Sequence, residues 1–432
     1  MNRFASTSRR GLFIAATLLL AVVAGCSRNK VKPDKPMPLL EINTTLKVER
    51  VWRAGVSGAP KLRLALDAAS AGDAVYIAGP KGEVESLVAA TGKTRWKTNV
   101  KLRLSAGPGV GDGLVVVGGP EGDVIALSAA DGKERWRARV GSEILAAPAV
   151  GGDSVVVRTV DGKLRALDAK DGKQRWLADQ QLPRLTLRGN APPQIMGDLV
   201  IAGFDNGRLM AVTLAGGSTV WDVAVGQSRG SSELQRLIDI DSATAVDGDD
   251  LFTVTYQGRV ARIARETGQV LWAHDVSSYR GLALGSDALF VATSNGEIVK
   301  LDRSTGAEIW KQDLLLRRQL SPPLLLGDYL AVADYQGVVH WLNASDGRFV
   351  ARTEAGYRVS MPLVAAGDLA LVTDDKGNVT AFRIRGTLPG KPQKAQPATP
   401  EPSKAAPAAP RRGWLFWRKP APPPADAAKP AG

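Results

Sequence analysis

One cysteine and two histidines are all the thiol and imidazole chemistry in this chain of 432 residues. Cys26 directly follows an apolar stretch near the N-terminus, so it stands at the end of a leader and not in a folded site. His274 and His340 lie in strand-like runs of different repeats, with no HxxxH or CxxC spacing to hold a metal. A structural role is expected for both. Aspartates are frequent, but Asp112, Asp153, Asp198, Asp328 and Asp368 all follow a glycine at the same point of a repeat. They read as turn residues, because a paired-carboxylate acid–base site would not be copied once per repeat. Gly118-Gly119-Pro120-Glu121-Gly122 lacks the following helix and lysine of a phosphate loop. No catalytic residue, no metal and no cofactor are therefore expected, and the chain reads as a non-enzyme.

Two segments carry binding chemistry instead. Leu182-Pro183-Arg184-Leu185-Thr186-Leu187-Arg188-Gly189 sets apolar anchors beside a guanidinium, a composition favoured in interface hot spots. The second segment runs from Gly230 to Asp241, and its Asp239 and Asp241 alternate on one side of a strand-like stretch, placed to pair with basic groups. Leu185, Leu187, Arg188, Asp239 and Asp241 are the candidate partner-binding residues. A second reading stands beside it and is compatible with it: Leu185 and Leu187 plug a channel mouth, and Arg188 pairs internally with Asp239 or Asp241.

The elements that position these residues repeat eight times. A copy has a Gly-Asp turn (Gly285-Ser286-Asp287 in the sixth), an apolar strand, a glycine turn, a second apolar strand and, except in the eighth, a further glycine turn, usually closed by a tryptophan. Three copies are Gly111-Asp112 to Trp136, Gly152-Asp153 to Trp176 and Gly197-Asp198 to Trp221. A period of roughly 40–45 residues with short strands and glycine turns is that of a four-stranded propeller blade. The closing tryptophans are Trp96, Trp136, Trp176, Trp221, Trp272 and Trp310, with Ala351 in the seventh slot. The eighth copy stops after three strands, near Ile384. Its missing strand is expected from Val48-Glu49-Arg50-Val51-Trp52, which closes the ring and removes the exposed edges of an open array. From the Trp slot to the next turn Asp, five ordinary spacings run from 15 to 18 residues. Those after Trp176 and Trp221 are 22 and 28, and that after Trp52 is 21. The two longest are adjacent links and emerge on one face of a propeller, which is where the two binding segments fall.

Composition gives the address. Arg3, Arg9 and Arg10 precede an apolar stretch, Gly11 to Ala24, of fourteen residues, too short for the ~20 that cross a bilayer. It ends Val23-Ala24-Gly25-Cys26, which resembles a bacterial lipobox with cleavage before Cys26 and acylation, palmitate included, of its thiol. Ser27 follows in place of Asp, which by the lipoprotein sorting rule implies the outer membrane. The expected organisation is a signal peptide over 1–25, an acylated Cys and polar tether over 26–47, an all-β eight-bladed propeller over 48–385, and an unfolded Pro/Ala/Lys-rich tail over 386–432. Within the tail, Trp414-Leu415-Phe416-Trp417 is flanked by Arg411, Arg412, Arg418 and Lys419, a pattern suited to a membrane interface. The net charge is +13, of which the leader holds +3 and residues 391–432 hold +6. The remaining +4 makes the body only mildly basic, so no nucleic-acid partner is implied.

The blade motif, as in Ala126-Leu127 to Gly132 and Trp136, is similar to the repeat of PQQ-dependent dehydrogenases. Those enzymes are usually larger, with inserted helices and an adjacent Cys-Cys pair, neither of which is visible in this sequence. Taken together, the lipobox, the eight quinoprotein-like blades, LxLRG (Leu185, Leu187, Arg188, Gly189) and ELxRLxDxD (Glu233, Leu234, Arg236, Leu237, Asp239, Asp241) resemble the BamB family of outer-membrane β-barrel assembly lipoproteins. The resemblance spans nearly the whole mature body apart from the tail. It implies a non-enzymatic scaffold, lipid-anchored at the periplasmic face of the outer membrane. Its implied partners are the POTRA region of BamA and unfolded outer-membrane proteins, and it carries the partner contacts onto Leu185, Leu187, Arg188, Asp239 and Asp241. The alternative from another class is a lipoprotein propeller that binds peptidoglycan or a polysaccharide. Tyr256, Tyr279 and Tyr335 look too scattered in the sequence to favour it.

Overall fold

A computed structural model describes residues 35–59, 64–183, 185, 186, 189–226, 231, 232, 234 and 237–388. Their strands form eight four-stranded antiparallel sheets arranged as the blades of a propeller. Seven sheets are consecutive in sequence. The eighth joins Val364–Ala366, Leu369–Thr373 and Asn378–Thr387 to an outer strand from the N-terminus, Leu46–Gly55. That strand pairs with Asn378–Thr387 from Leu46 opposite Thr387 to Gly55 opposite Asn378, so Trp52 occupies the eighth blade as its spacing implied. The pairing extends slightly past Val48 and Ile384 at the two ends.

The middle strands of each blade, such as Leu114–Gly118 and Asp123–Ser128, are buried almost throughout. Neighbouring blades cover both sheet faces, which is why these strands are apolar without alternation. Outer strands such as Glu134–Arg139 bury mainly their tryptophan. That tryptophan is the fastener between blades. Its indole Nε1 donates to a main-chain oxygen in the last hairpin of the next blade: Trp52 to Ala89 at 2.7 Å, Trp96 to Ala129 at 2.9 Å, Trp136 to Ala169 at 2.7 Å. Its ring lies on the glycine of the same hairpin. A Cβ added at Gly132 would stand 2.4 Å from Trp96, and one at Gly172 would stand 2.6 Å from Trp136. These glycines therefore answer two demands, a left-handed φ of about +70° and the preceding blade's indole. The pairing also explains Ala351. Blade eight takes its outer strand from the N-terminus, so it has no such hairpin for a seventh-blade tryptophan to meet.

The segment before Leu46 is seated on the ring. Met37 N donates to Leu316 O at 3.0 Å and Thr45 N to Val350 O at 2.9 Å. Leu39 and Ile42 pack on the core between blades six and seven, and Arg317, Arg318 and Arg352 donate to the carbonyls of Lys35, Met37 and Leu40. Over residues 35–45 the expected tether is thus a strap on the blades. Residues 1–34 and 389–432, including Cys26 and the Trp414–Trp417 cluster, lie outside the described residues.

Candidate functional site

Strands alternate in direction within a blade, so the Gly-Asp turns share one face with the last hairpins. The blade-to-blade links open on the other face, together with the central hairpins. The repeated turn aspartates are therefore on the opposite face from the two long links. The first long link runs between Asp179 and Gln194, the second between Ala224 and Ala245. They enter blades four and five and are neighbours on the link face.

A buried polar cluster fixes the first link to blades three and four, and the second link closes on it at Gly189. Arg158 ends the second strand of blade three, at a position held by Ala78, Gly118, Gly203 and Ala292 in other blades. Its Nη1 donates to Gly189 O at 2.7 Å, and its Nη2 is ion-paired with Asp205, a central-hairpin residue of blade four. Both side chains are almost fully buried. Gly189 N donates to Asp205 Oδ2 at 3.2 Å. Asp241 of the second link closes on the same glycine. A Cβ there would lie 2.4 Å from Asp241 Oδ1 and 2.8 Å from Asp205 Oδ1, so only glycine fits between the carboxylates. The return of the second link is fixed by apolar packing. Ile238 and Ile240 are buried, and Ile240 fills the space above Gly203, where a Cβ would come within 2.4 Å of it.

The candidate residues divide accordingly. Leu185 stands on the first link with 41% of its surface exposed. Asp239 is fully buried, with 0% exposed, which differs from the expectation of a rim residue that meets a partner. Asp241 lies in the wall of the axial funnel, beside Gly189. Burial pushes its pKa up to about 8, helped by the charges of Asp239 and Asp205 and opposed by Arg158 and Arg280. Leu187 and Arg188 lie outside the described residues, as do Glu233 and Arg236. Sequence reasoning named Leu234 in its motif but not among the partner contacts, though it is 67% exposed on the second link, and it missed Arg158 and Asp205. Arg158 had a visible signal, an arginine closing the apolar strand Ser-Val-Val-Val-Arg.

The funnel has a volume of about 800 Å³ and opens on the link face along the propeller axis. Tyr256 and Tyr279 meet in its wall at a centroid distance of 5.9 Å, nearly perpendicular. Two of the three tyrosines that looked scattered are therefore together, whereas Tyr335 is apart. Arg280 covers Tyr279 with its guanidinium 4.7 Å from the ring centroid, so the pair is no open platform for a sugar.

His340 is fully buried beneath the N-terminal strap. Its Nε2 meets Asp334 Oδ2 at 2.9 Å, and Arg352 Nε donates to its Nδ1 at 3.3 Å. Burial, ahead of the other causes, holds its pKa below the usual imidazole value. Both ring nitrogens are spent on this network. His274 ends the outer strand of blade five, half-buried. Neither is in a nucleophile–base arrangement, and no group of three or more metal-ligating residues occurs among the described residues.

Comparison with known proteins bears on this geometry. The model of the family described as outer membrane protein assembly factor BamB matches residues 80–312 and 301–387. The chain is 42% identical over 376 residues to the outer membrane protein assembly factor BamB of Pseudomonas aeruginosa, spanning 86% of this chain and 98% of that protein. The crystal structure of BamB from Moraxella catarrhalis superposes with a TM-score of 0.72 at 29% identity, covering 78% of this chain and 100% of that one. A europium-containing methanol dehydrogenase also superposes, with a TM-score of 0.63 at 14% identity, covering 76% of this chain and 85% of that one, a likeness of fold alone. With the family match running across the blades and both long links, the chain belongs to the family of outer membrane protein assembly factor BamB.

Proposed function

We propose that this protein is a non-enzymatic scaffold of the outer-membrane β-barrel assembly machinery, lipid-anchored through Cys26 at the periplasmic face of the outer membrane. It binds the POTRA region of BamA and assists the assembly and insertion of barrel proteins. The observation that carries the reading is the pair of adjacent long links, which meet at Gly189 and raise Leu185 and Leu234 into solvent. An apolar centre with a charged border is what a hot spot needs. In this reading Leu185, Leu187 and Arg188 touch BamA, joined by Leu234, while buried Asp239 holds the second link in shape and Asp241 bridges rim and funnel. The family of its relatives, named as assembly factors, supports a role without catalysis. The test is calorimetric titration with the POTRA domains of the cognate BamA. Leu185→Glu combined with Leu234→Glu weakens binding more than about tenfold, or ~1.4 kcal/mol, with an unchanged melting temperature. Unaltered affinity overturns the assignment of this rim.

A further inference from the structure

The funnel holds a carboxylate that the assembly reading does not use. Asp67 lies just before the first strand of blade one, on the opposite side of the mouth from blade five and Asp241. Its backbone is anchored on both sides. Ala65 N donates to Ser105 O at 3.1 Å, Gly107 N donates to Ala65 O at 2.9 Å, and Leu66 and Ala68 are buried on either side. Asp67 Oδ1 is sealed from solvent and has no hydrogen-bond partner among the described residues. The same funnel is lined by the aliphatic Leu64, Pro80, Leu104, Pro120 and Leu145, with Arg103 and Ser105 among them.

A carboxylate whose Oδ1 is sealed without a partner is costly in its ionised form unless a cation joins it. Asp241 repeats the feature across the mouth, since its Oδ1 also lacks a hydrogen-bond partner among the described residues. A metal ion needs more oxygen ligands than one such carboxylate supplies, and no group of three or more candidate ligands occurs among the described residues. An alkyl chain ending in an ammonium matches both parts of the wall: methylenes against the leucines and prolines, charge against the carboxylate. From this geometry we infer that the axial funnel is a binding site for a primary alkylammonium group, with Asp67 as its counter-ion. Two sources carry that chemistry, a free polyamine and a lysine side chain of a polypeptide that inserts from the link face. The inference stands apart from the binding of BamA by the rim.

Burial as sole cause pushes the pKa of Asp67 up to about 7. Among the described residues, the other charged groups facing the funnel are Arg103, Glu143, Asp241 and Arg280. An ammonium bound at Asp67 favours the carboxylate, so binding near pH 6.5 releases a proton and tightens as pH rises towards 8. The experiment is calorimetry on the mature protein with spermidine and, separately, with the peptide acetyl-Gly-Lys-Gly-amide, at pH 6.5 in two buffers of different ionisation enthalpy. Binding of either probe with proton release, weakened at least tenfold at pH 8 by Asp67→Asn, is the expected result. Spermidine alone points to a free polyamine, and the peptide alone or both probes point to a lysine side chain; each supports the site. Absence of binding by both probes at millimolar concentration overturns it. So does binding by the wild type without proton release, a readout that holds even where the Asn variant folds poorly. Equal affinity of a folded Asp67→Asn variant overturns it as well. None of these outcomes alters the POTRA titration, so the two readings fail separately.

Discussion

Replacing Gly189 by alanine tests whether the two links are truly one unit. The new Cβ stands 2.4 Å from Asp241 Oδ1 and 2.8 Å from Asp205 Oδ1, both closer than real Cβ contacts allow. The backbone of Gly189 is not left-handed, so the cost is steric and electrostatic, not conformational. Overpacking a tight site costs about 1–3 kcal/mol. With an unfolding entropy of about 2.1 cal/mol/K per residue, a ring of roughly 340 residues loses ~0.7 kcal/mol of stability per degree, so the melting temperature falls by about 1.5–4 °C. The control is Gly197→Ala, in a Gly-Asp turn on the opposite face, where φ is +57° and a Cβ meets nothing within 4 Å. Its cost is conformational, ~1–2 kcal/mol, and of similar size. Both variants are measured by thermal unfolding and by titration with the POTRA domains. Gly189→Ala is expected to lose affinity about tenfold or more, as Asp241 and the second link are displaced, while Gly197→Ala binds as the parent does. If Gly189→Ala keeps both its melting temperature and its affinity, the convergence of Asp205 and Asp241 on this glycine is wrong. If it melts early but binds normally, the cluster stabilises the ring and has no part in the rim.

Three further outcomes are expected. Truncation to begin at Leu46 removes the strap held by Arg318 and Arg352, and a cut after Trp52 also strips most of the outer strand of blade eight; the second variant melts clearly lower, and equal melting temperatures contradict the seam. Asp67 and Asp241 have folded pKa values of about 7 and about 8, raised above the usual carboxylate value, so the native state retains protons that the unfolded chain has lost. Their favourable effect on stability is present below about pH 4 and is lost as pH rises through 4–8. Asp67→Asn and Asp241→Asn therefore raise the melting temperature at pH 8 and change it little at pH 4, and a pH-independent difference refutes the shifts. Cys26→Ala leaves the protein out of the outer-membrane fraction when BamA is absent, and continued co-fractionation with that membrane contradicts lipid anchoring.

The ring was legible in the sequence because it is built from local rules written many times. Glycine turns, apolar strands covered on both faces and a closing tryptophan recur at a fixed period, so blade number and the role of Trp52 follow from counting. The lengths of the links after Trp176 and Trp221 likewise marked one rim, since propeller topology sends every such link to the same face. What the repeat conceals is contact between residues distant in the chain. The glycine of each last hairpin looks like a turn residue, yet it also receives the indole of the preceding blade, as Gly132 receives Trp96. Asp239 and Asp241 look alike in Asp-Ile-Asp, but the path of the link buries the first completely and sets the second in the funnel wall. Gly189, Asp205 and Arg158 become one cluster only when blades three and four stand side by side. Tyr256 meets Tyr279, and Asp67 comes to share a funnel with leucines and prolines of other links and blades, by the same closure of the ring. Strand period and turn chemistry act between near neighbours and can be read along the chain; burial, charge pairing and a funnel on the axis depend on which distant surfaces the closed circle brings together.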